Sequence, residues 1–529
     1  MIEEGYRDLI IIYLIGLISV IFLSIGTYYI SNKYKIIFKK NYVNIFFYFS
    51  LIFYLFSVIF ISMGKINALH HYADFATHLE ILWRYSQKLG LTSLMSEEIH
   101  KGTHWFSAHF TPIIFLTYAP IFKIFPFAQI IPISETIFLV SSIIPLKLIV
   151  QKFFEKNLTK LFITSFLFYP TIFYTNLYGI AYLELCIPLF FWLIYFFQEK
   201  KNILFLITLI LSLMTREEVA LVLIFFGIYI FFNKRYFLGL LTFAISLIYF
   251  FIVFKFVIPY FKGSDIHLAT SLYSSLGSSY SEIIQYILEN PIDIFKKILS
   301  PPKIGNLVMF LIPLLFTPLI SLMTFFITIP NLVITFLSDY ITNSSFILYY
   351  LSPSIPFFYY ASILGINKIR LFSFININSL IYSLLISSIA TTIFFGATPL
   401  SIAFWSKNYS VGKFYTSNFH YSAYLEDTRA AVAKKIIRLI PEDGVVSAEQ
   451  HFLPLLFKKK KMIIFPDKSD DVNYVLIDIF RPQKTGGLQG NWLDFRKNPE
   501  IYYSEYFNNK KDWSIVESIN GVTLFRKEN

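Results

Sequence analysis

Residues 70–83 read HHYADFATHLEILW and gather His70, His71, His78, Asp74 and Glu80 within a chain that is 56% hydrophobic. A carboxylate with an imidazole one helical turn away is minimal equipment for general acid–base catalysis. Asp74 and His78 are four residues apart, so on a helix they share one face. Phe75, Leu79, Leu82 and Trp83 form the other face, as expected of an amphipathic helix at a membrane surface. Two readings stand open: a solvated polar face with no task, or a catalytic Asp74 with His78 beside it. His104 and His109 fall in the same loop, so its histidines could ligate a divalent metal. Their spacing matches no compact motif such as H-E-x-x-H. Cys186 is the single cysteine, which leaves neither a disulfide framework nor a cysteine-based metal site.

Further ionisable groups interrupt apolar runs. Glu184 opens one such run after NLYGIAYL, where a carboxylate either snorkels to the surface or serves a site. Arg216, Glu217 and Glu218 lie between runs 202–214 and 218–232, both shorter than the roughly 20 residues a spanning helix needs. Shortness predicts that this turn stops below the bilayer surface and lines a cavity, where ionisable groups are costly to keep. A self-satisfied Arg–Glu pair requires one glutamate, and the second exceeds that requirement. Asp339, beyond Pro330, is a weaker candidate. Lys255 and Lys262 could meet a phosphate as point charges or could snorkel.

The elements that must position these groups are membrane helices. Phe and Tyr number 61 and 37, mean hydropathy is +0.60, and 15% of residues are charged, against about 25% in soluble domains. The formal charge of +12 fits basic cytoplasmic loops and anionic head groups better than nucleic acid, so no nucleic-acid partner is expected. The first apolar run, 8–30, is long enough to span and lacks a small-residue cleavage site, so no cleavable signal peptide is expected. About a dozen spans are predicted, near 8–30, 42–62, 128–150, 161–175, 183–198, 202–214, 218–232, 236–258, 306–320, 322–338, 346–364 and 372–395. The connections at 31–40, 151–160, 198–202, 233–235 and 366–370 are basic and therefore cytoplasmic. The apolar stretch 109–125, with two prolines and Lys123, then lies in the outer interface or dips in and returns. On this topology both termini are extracytoplasmic, and the loop 63–127, the turn 215–218 and the tail share the outer face.

The chain thus divides into a polytopic domain, 1–396, and an extracytoplasmic α/β domain, 397–529. Hydropathy falls after Phe395. TRAAVAKKIIRLI (428–440) reads as an amphipathic helix, and GVVSAE, KMIIFP and VNYVLIDIF read as buried strands. SIVES and VTLFRK flank Asn520-Gly521 as a hairpin.

Carboxylates at the outer mouth of such a bundle suit transfer of a sugar from a lipid-linked phosphate donor at the cell membrane. The donor tail needs a groove between helices, its phosphate a Lys or Arg, and the acceptor hydroxyl a carboxylate base. The alternative is a non-catalytic or transport-type protein whose external domain binds a partner. A transporter places ionisable groups near the midplane on broken helices, often in two related halves.

The sequence resembles the DUF2079 family of predicted membrane proteins, grouped with the GT-C superfamily of polytopic glycosyltransferases. The family's Asp-Leu-Gly-x-Phe-Asp-Gln-x-x-Trp is matched by DFATHLEILW, which keeps Asp74 and Trp83, with Leu79 at the second Asp and Glu80 at the Gln. His-Phe-x-Pro is matched by His109 to Pro112, and Phe-His-Pro-Glu by AYLE, which keeps Glu184. Lys-Glu-Asp is matched by Arg216, Glu217 and Glu218, and His-Tyr by Tyr349-Tyr350. The resemblance implies a GT-C-like fold of membrane helices with a small external α/β domain, membrane lipids as surroundings and a polyprenyl-phosphate-linked sugar as donor. The residue it points to is Asp74, at the place of the essential Asp or Glu of the first external loop. Together with the residue reading, Asp74 is expected as general base or metal ligand, with Glu217 and Glu218 beside it in catalysis as lining of the pocket, and Arg216 as a phosphate or carboxylate partner. Glu184, His109 and His78 join Arg216 as expected substrate-binding residues. No cofactor is fixed, and a divalent metal stays open. The sugar and acceptor stay unassigned.

Overall fold

The computed structural model describes residues 2–71, 73–95, 104–263, 268–372, 375–407, 409, 419–465, 471–478 and 513–528. Two compact units make up the chain: Met1–Ile59 with Ala108–Leu116 and Pro132–Val411, and Phe60–Ser107 with Thr117–Ile131 and Gly412–Asn529.

Among the described residues, five helices are long and apolar enough to cross a membrane: Tyr13–Lys33, Lys40–Asn67, Ile130–Val150, Tyr236–Lys262 and Ile377–Phe395. The predicted runs otherwise break where their residues demand it. The run 161–175 is interrupted before Pro170, which starts a new helix, Pro170–Tyr178; proline has no N–H to continue the preceding one. The run 306–320 is not one helix. Pro301–Leu311 gives way to 3-10 turns around Leu315 and Phe316, both left-handed at φ 52° and 56°. The run 236–258 extends from Tyr236–Ile252 through a π-helical turn, Val253–Val257, into Ile258–Lys262.

Two shorter helices flank the turn that holds Arg216, Glu217 and Glu218 in the first unit. Asn202–Leu213 has 12 residues and Val219–Phe232 has 14. At 1.5 Å per residue these reach ~18 and ~21 Å, well short of the roughly 30 Å hydrocarbon core. If Lys201 and the Asn233–Arg235 end lie at one membrane surface, the turn at Met214–Glu218 lies beneath the other. Val219–Phe232 packs on Tyr236–Ile252 at two glycines. A Cβ on Gly227 would lie 2.7 Å from the Phe243 nitrogen, and one on Gly239 2.6 Å from the Phe231 nitrogen. Small residues allow this backbone approach between membrane helices. Because backbone atoms cannot yield, Gly227→Ala is expected to cost about 1–3 kcal/mol, as overpacking does. Thermal unfolding in detergent measures it, and an unchanged midpoint would mean that the backbones are not in contact.

The second unit contains a five-stranded sheet. Its strands are β1 (Val445–Ala448), β2 (Lys461–Ile464), β3 (Tyr474–Asp478), β4 (Trp513–Ile519) and β5 (Val522–Lys527), in the order β2-β1-β3-β5-β4. β1 runs parallel to β2 and β3, while β5 pairs antiparallel with β3 and β4. The predicted strands appear in these places; residues 479–480 of the third and Pro466 of the second lie outside the described residues. Asn520 and Gly521 turn the hairpin with φ 51° and 88°, the conformation that an Asn-Gly pair tolerates. Val445, Ile463, Phe465, Val475 and Ile477 form its apolar core. The helix Thr428–Ile437 starts where the Asp427 side chain accepts the Ala430 N–H at 2.8 Å. In the same unit, Phe457 packs edge-on against Trp83 (6.2 Å) and Phe122 (5.9 Å), joining the helices Ala73–Ser86 and Tyr118–Ile124 to the α/β fold.

Candidate functional site

The turn between the two short helices holds the densest buried charge in the first unit. Thr215 ties it to the preceding helix by donating to the Ser212 carbonyl (2.7 Å), and Val219 N–H donates to the Arg216 carbonyl (3.2 Å). The segment from His109 docks on this turn through its backbone. Ile113 N–H donates to the Met214 carbonyl at 3.1 Å, and Phe110 N–H donates to Glu217 Oε2 at 3.0 Å. That docking brings His109 onto Glu217 and Arg216. His109 Nδ1 lies 2.8 Å from Glu217 Oε1, and Arg216 Nη2 lies 3.0 Å from His109 Nε2.

These contacts fix a tautomer. Arginine only donates, so Nε2 must accept, and the ring proton sits on Nδ1, directed at Glu217. His109 is therefore a neutral imidazole strung between a cation and a carboxylate. Arg216 also forms an ion pair with Glu218, Nε to Oε1 3.0 Å, and its guanidinium lies 5.7 Å from the Tyr349 ring centroid. The Arg216 Nε–H makes no aligned hydrogen bond, so the contact with Glu218 is Coulombic. Of the two roles expected for Arg216, phosphate partner or carboxylate partner, the second is the one its contacts display.

His109, Glu217 and Glu218 each offer a ligand atom within 4.8 Å of the others. One imidazole nitrogen and two carboxylates fit a divalent transition-metal ion. Nδ1 is the nitrogen that faces the carboxylates; to hold an ion there as a neutral ligand, the ring would carry its proton on Nε2 and Arg216 would have to give up its contact with that nitrogen. No other set of three donors that close occurs among the described residues. The remaining histidines of the first loop have other surroundings. His71 stacks on Phe75 at 4.1 Å, and burial, with Lys65 and His70 nearby, holds its pKa down and keeps it neutral. His104 Nδ1 accepts the Phe106 N–H at 3.1 Å.

Glu184 is fully buried and accepts the Ala181 N–H at 3.2 Å. The bend that allows this uses Gly179 at φ 113° and Tyr182 at φ 61°; the first of these is a conformation open in practice to glycine. Cys186 lies within electrostatic reach of both Glu184 and Glu218, which places these two carboxylates in one region of the first unit. Asp339 is elsewhere and serves as an anchor. It accepts from Ser275 N–H (2.9 Å), from the Ser274 and Ser275 hydroxyls, and from Lys297. Burial alone would raise its carboxyl, but those hydrogen bonds and the Lys297 charge hold it at about 2. Lys255 is exposed and lies over the Phe251 ring at 5.4 Å, as a snorkelling lysine does.

Tyr349 stands beside Arg216; of the 37 tyrosines in the chain, residue spacing singled out none and the motif match only Tyr349 and Tyr350. Tyr178 and Tyr350 pack on Tyr349 with centroids 4.5 and 4.4 Å apart. Tyr249 and Tyr280 lie within reach of Glu217, and Tyr273 within reach of Glu218.

Asp74 and His78 belong to the second unit. Asp74 sits half-buried in the first turn of Ala73–Ser86, where the helix dipole favours a carboxylate. The helix has the predicted register but not a solvated polar face. His78 is buried with its ring edge-on to Trp105 at 4.7 Å. Glu80 is 2% exposed and accepts the Ser93 hydroxyl (2.5 Å) and the Leu94 N–H (3.3 Å). Burial pushes the Glu80 carboxyl above its ordinary value, although these hydrogen bonds pull against it. A carboxyl that protonates more readily folded than unfolded lowers stability as pH rises. The loss begins near the ordinary value, about 4.3, and is complete above the raised folded value. Glu80→Gln is expected to flatten this part of the unfolding midpoint's pH profile. A slope of wild-type size in the variant would assign the titration to another group.

Many helices, several of them long and apolar enough to cross a membrane, an Arg–His–Glu–Glu array with Arg216 and Glu217 buried and His109 and Glu218 half-buried, and a small sheet domain define a polytopic membrane protein. The chain belongs to the DUF2079 family of predicted membrane proteins, whose model matches residues 73–524. No curated protein matches it by sequence. Among solved structures, it is similar to the crystal structure of ArnT from Cupriavidus metallidurans bound to undecaprenyl phosphate. The TM-score is 0.49 at 10% identity, covering 92% of this chain and 98% of that one.

Proposed function

We propose that the protein is a GT-C-type glycosyltransferase that takes a sugar from a polyprenyl-phosphate-linked donor at the outer face of the cell membrane. The observation that carries this reading is the placement of Glu217 and Glu218 on a turn between helices of ~18 and ~21 Å. Carboxylates held below a membrane surface meet substrates that are themselves anchored in lipid. The match of Asp74, His109, Glu184 and Arg216–Glu218 to the family's motifs supports it further.

In this reading about twelve segments cross or enter the bilayer, both termini are extracytoplasmic, and the 397–529 domain faces the acceptor. Asp74 takes the proton of the attacking hydroxyl as general base. Glu217 and Glu218 hold sugar hydroxyls, which carboxylates accept readily. Arg216 pairs with Glu218 and donates to His109, which in turn donates to Glu217, so the four side chains hold one another in place. Glu184 binds substrate within the first unit, and His78, one helical turn beyond Asp74, does so within the second. When bound, a divalent ion at His109, Glu217 and Glu218 would supply positive charge toward the donor phosphate.

The test is release of radiolabelled sugar from a defined polyprenyl-phosphate donor by purified protein in proteoliposomes. Turnover dependent on the protein supports the reading. No turnover across a panel of donors, together with flux of a labelled solute in vesicles lacking any donor, would favour the transport alternative.

A further inference from the structure

Residues 280–299 form two helices, Tyr280–Glu289 and Pro291–Ile298, with Asn290 between them. Their side chains sort into three stripes. Ile283, Ile287, Ile294 and Ile298 are buried or half-buried against the protein. Glu282, Gln285, Glu289, Asp293 and Lys296 are exposed, tied along the stripe by Gln285 to Glu289 (2.8 Å) and by Lys296 to Asp293 (3.5 Å). Between these two lies a third stripe, Ile284, Leu288, Ile292, Phe295 and Leu299, apolar yet 40–75% exposed. Within the first helix Ile284 and Leu288 are four residues apart, and along the second Ile292, Phe295 and Leu299 follow at three and four, so each helix carries its members on one face, with the non-helical Asn290 between them.

A soluble surface has no use for such a stripe, and a helix inside a bundle has no use for the charged one. The boundary between hydrocarbon and water asks for both, side by side. Neighbouring structure places the helices there. The Tyr280 ring packs on Phe254 with centroids 4.9 Å apart. Phe254 lies near the end of the span Tyr236–Lys262, whose Phe251, Ile252, Phe256 and Tyr260 are themselves exposed. That outward face is one that lipid covers in a membrane protein, and the stripe begins beside it. On the inner side, Lys297 is pinned to Asp339 and Ser275, which holds the pair against the first unit.

We propose that residues 280–299 are an interfacial helix pair whose Ile284, Leu288, Ile292, Phe295 and Leu299 insert into the acyl region of the bilayer. The occupant of this exposed face is lipid, not a second protein or another copy of the chain. The inference rests on the chain being a membrane protein and not on any transfer reaction.

Nitroxide scanning of the full chain in nanodiscs tests this. Single cysteines at 282, 284, 285, 288, 289, 292, 293 and 295 would be introduced in a Cys186→Ala background and spin-labelled. Collision rates with oxygen, which partitions into lipid, and with a water-soluble nickel chelate would then be read at each position. The expected result is several-fold higher oxygen-to-nickel ratios at 284, 288, 292 and 295 than at 282, 285, 289 and 293. Equal ratios on the two stripes would place both in water and overturn the proposal. Low rates for both reagents at 288 and 295 would show a protein covering the stripe, which overturns it equally. An Asp339→Asn variant is expected to lower the contrast by loosening the clamp; because the labelled sites are unchanged in it, loss of contrast there separates seating from label artefact.

Discussion

Arg216→Met is expected to destabilise the protein by about 3–5 kcal/mol, the cost of removing one partner from a buried ion pair. The reason is local. Glu217 and Glu218 are adjacent, their ligand atoms lie within 4.8 Å of His109 and of each other, and Arg216 is 3.0 Å from both His109 and Glu218. Without the guanidinium, two carboxylates face each other in a poorly solvated pocket. Arg216→Lys is expected to recover only part of the loss. An ammonium is a single point charge, whereas the planar fork reaches Nε2 of His109 and Oε1 of Glu218 at once. Denaturation of the detergent-solubilised protein measures both variants. Wild-type stability in Arg216→Met would mean that a proton or a bound cation balances the glutamates instead.

Asp74→Asn is expected to lower transfer from the lipid-linked donor by about 10²–10⁴-fold, the usual contribution of a positioned general base. Folding should be unaffected, because asparagine retains the side chain's size and suits the first turn of a helix. The contrast between the two variants is informative. Arg216→Met acts on folding and, through it, on everything else; Asp74→Asn acts on turnover in a protein with a normal unfolding profile. Unchanged turnover in Asp74→Asn would remove Asp74 from catalysis, whatever the role of the buried glutamates.

The parts of this architecture that obey a local rule were legible in the residues. Apolar runs gave helices, 202–214 and 218–232 gave two short ones with the ionisable groups on the turn between them, and Asn520-Gly521 gave a hairpin. What escaped depended on contacts between distant residues. His109 was marked by its motif, but its partners were not: they are Arg216 and Glu217, more than a hundred residues away, reached with the help of one backbone hydrogen bond between Ile113 and Met214. The packing of Phe457 on Trp83 is equally silent in sequence. The break within 306–320 escaped for another reason. Leu315 and Phe316 adopt left-handed backbone without glycine, so the tertiary setting overrides a preference that the residues themselves would not declare. The polar face of the Ala73–Ser86 helix shows the limit of periodicity: register was predictable, but what covered that register was not.

The π-helical turn at Val253–Val257 has a consequence for how this region can vary. Such turns arise when a helix takes up one additional residue without changing where its two ends begin and finish. Deleting a single residue there would restore ordinary winding and swing the terminal Ile258–Lys262 segment by roughly 100° about its own axis. Phe254, the rest for the Tyr280 ring, sits inside that very turn. A one-residue length change is thus the smallest edit that could re-aim the membrane-seated helices while leaving every side chain of the glutamate cluster in place.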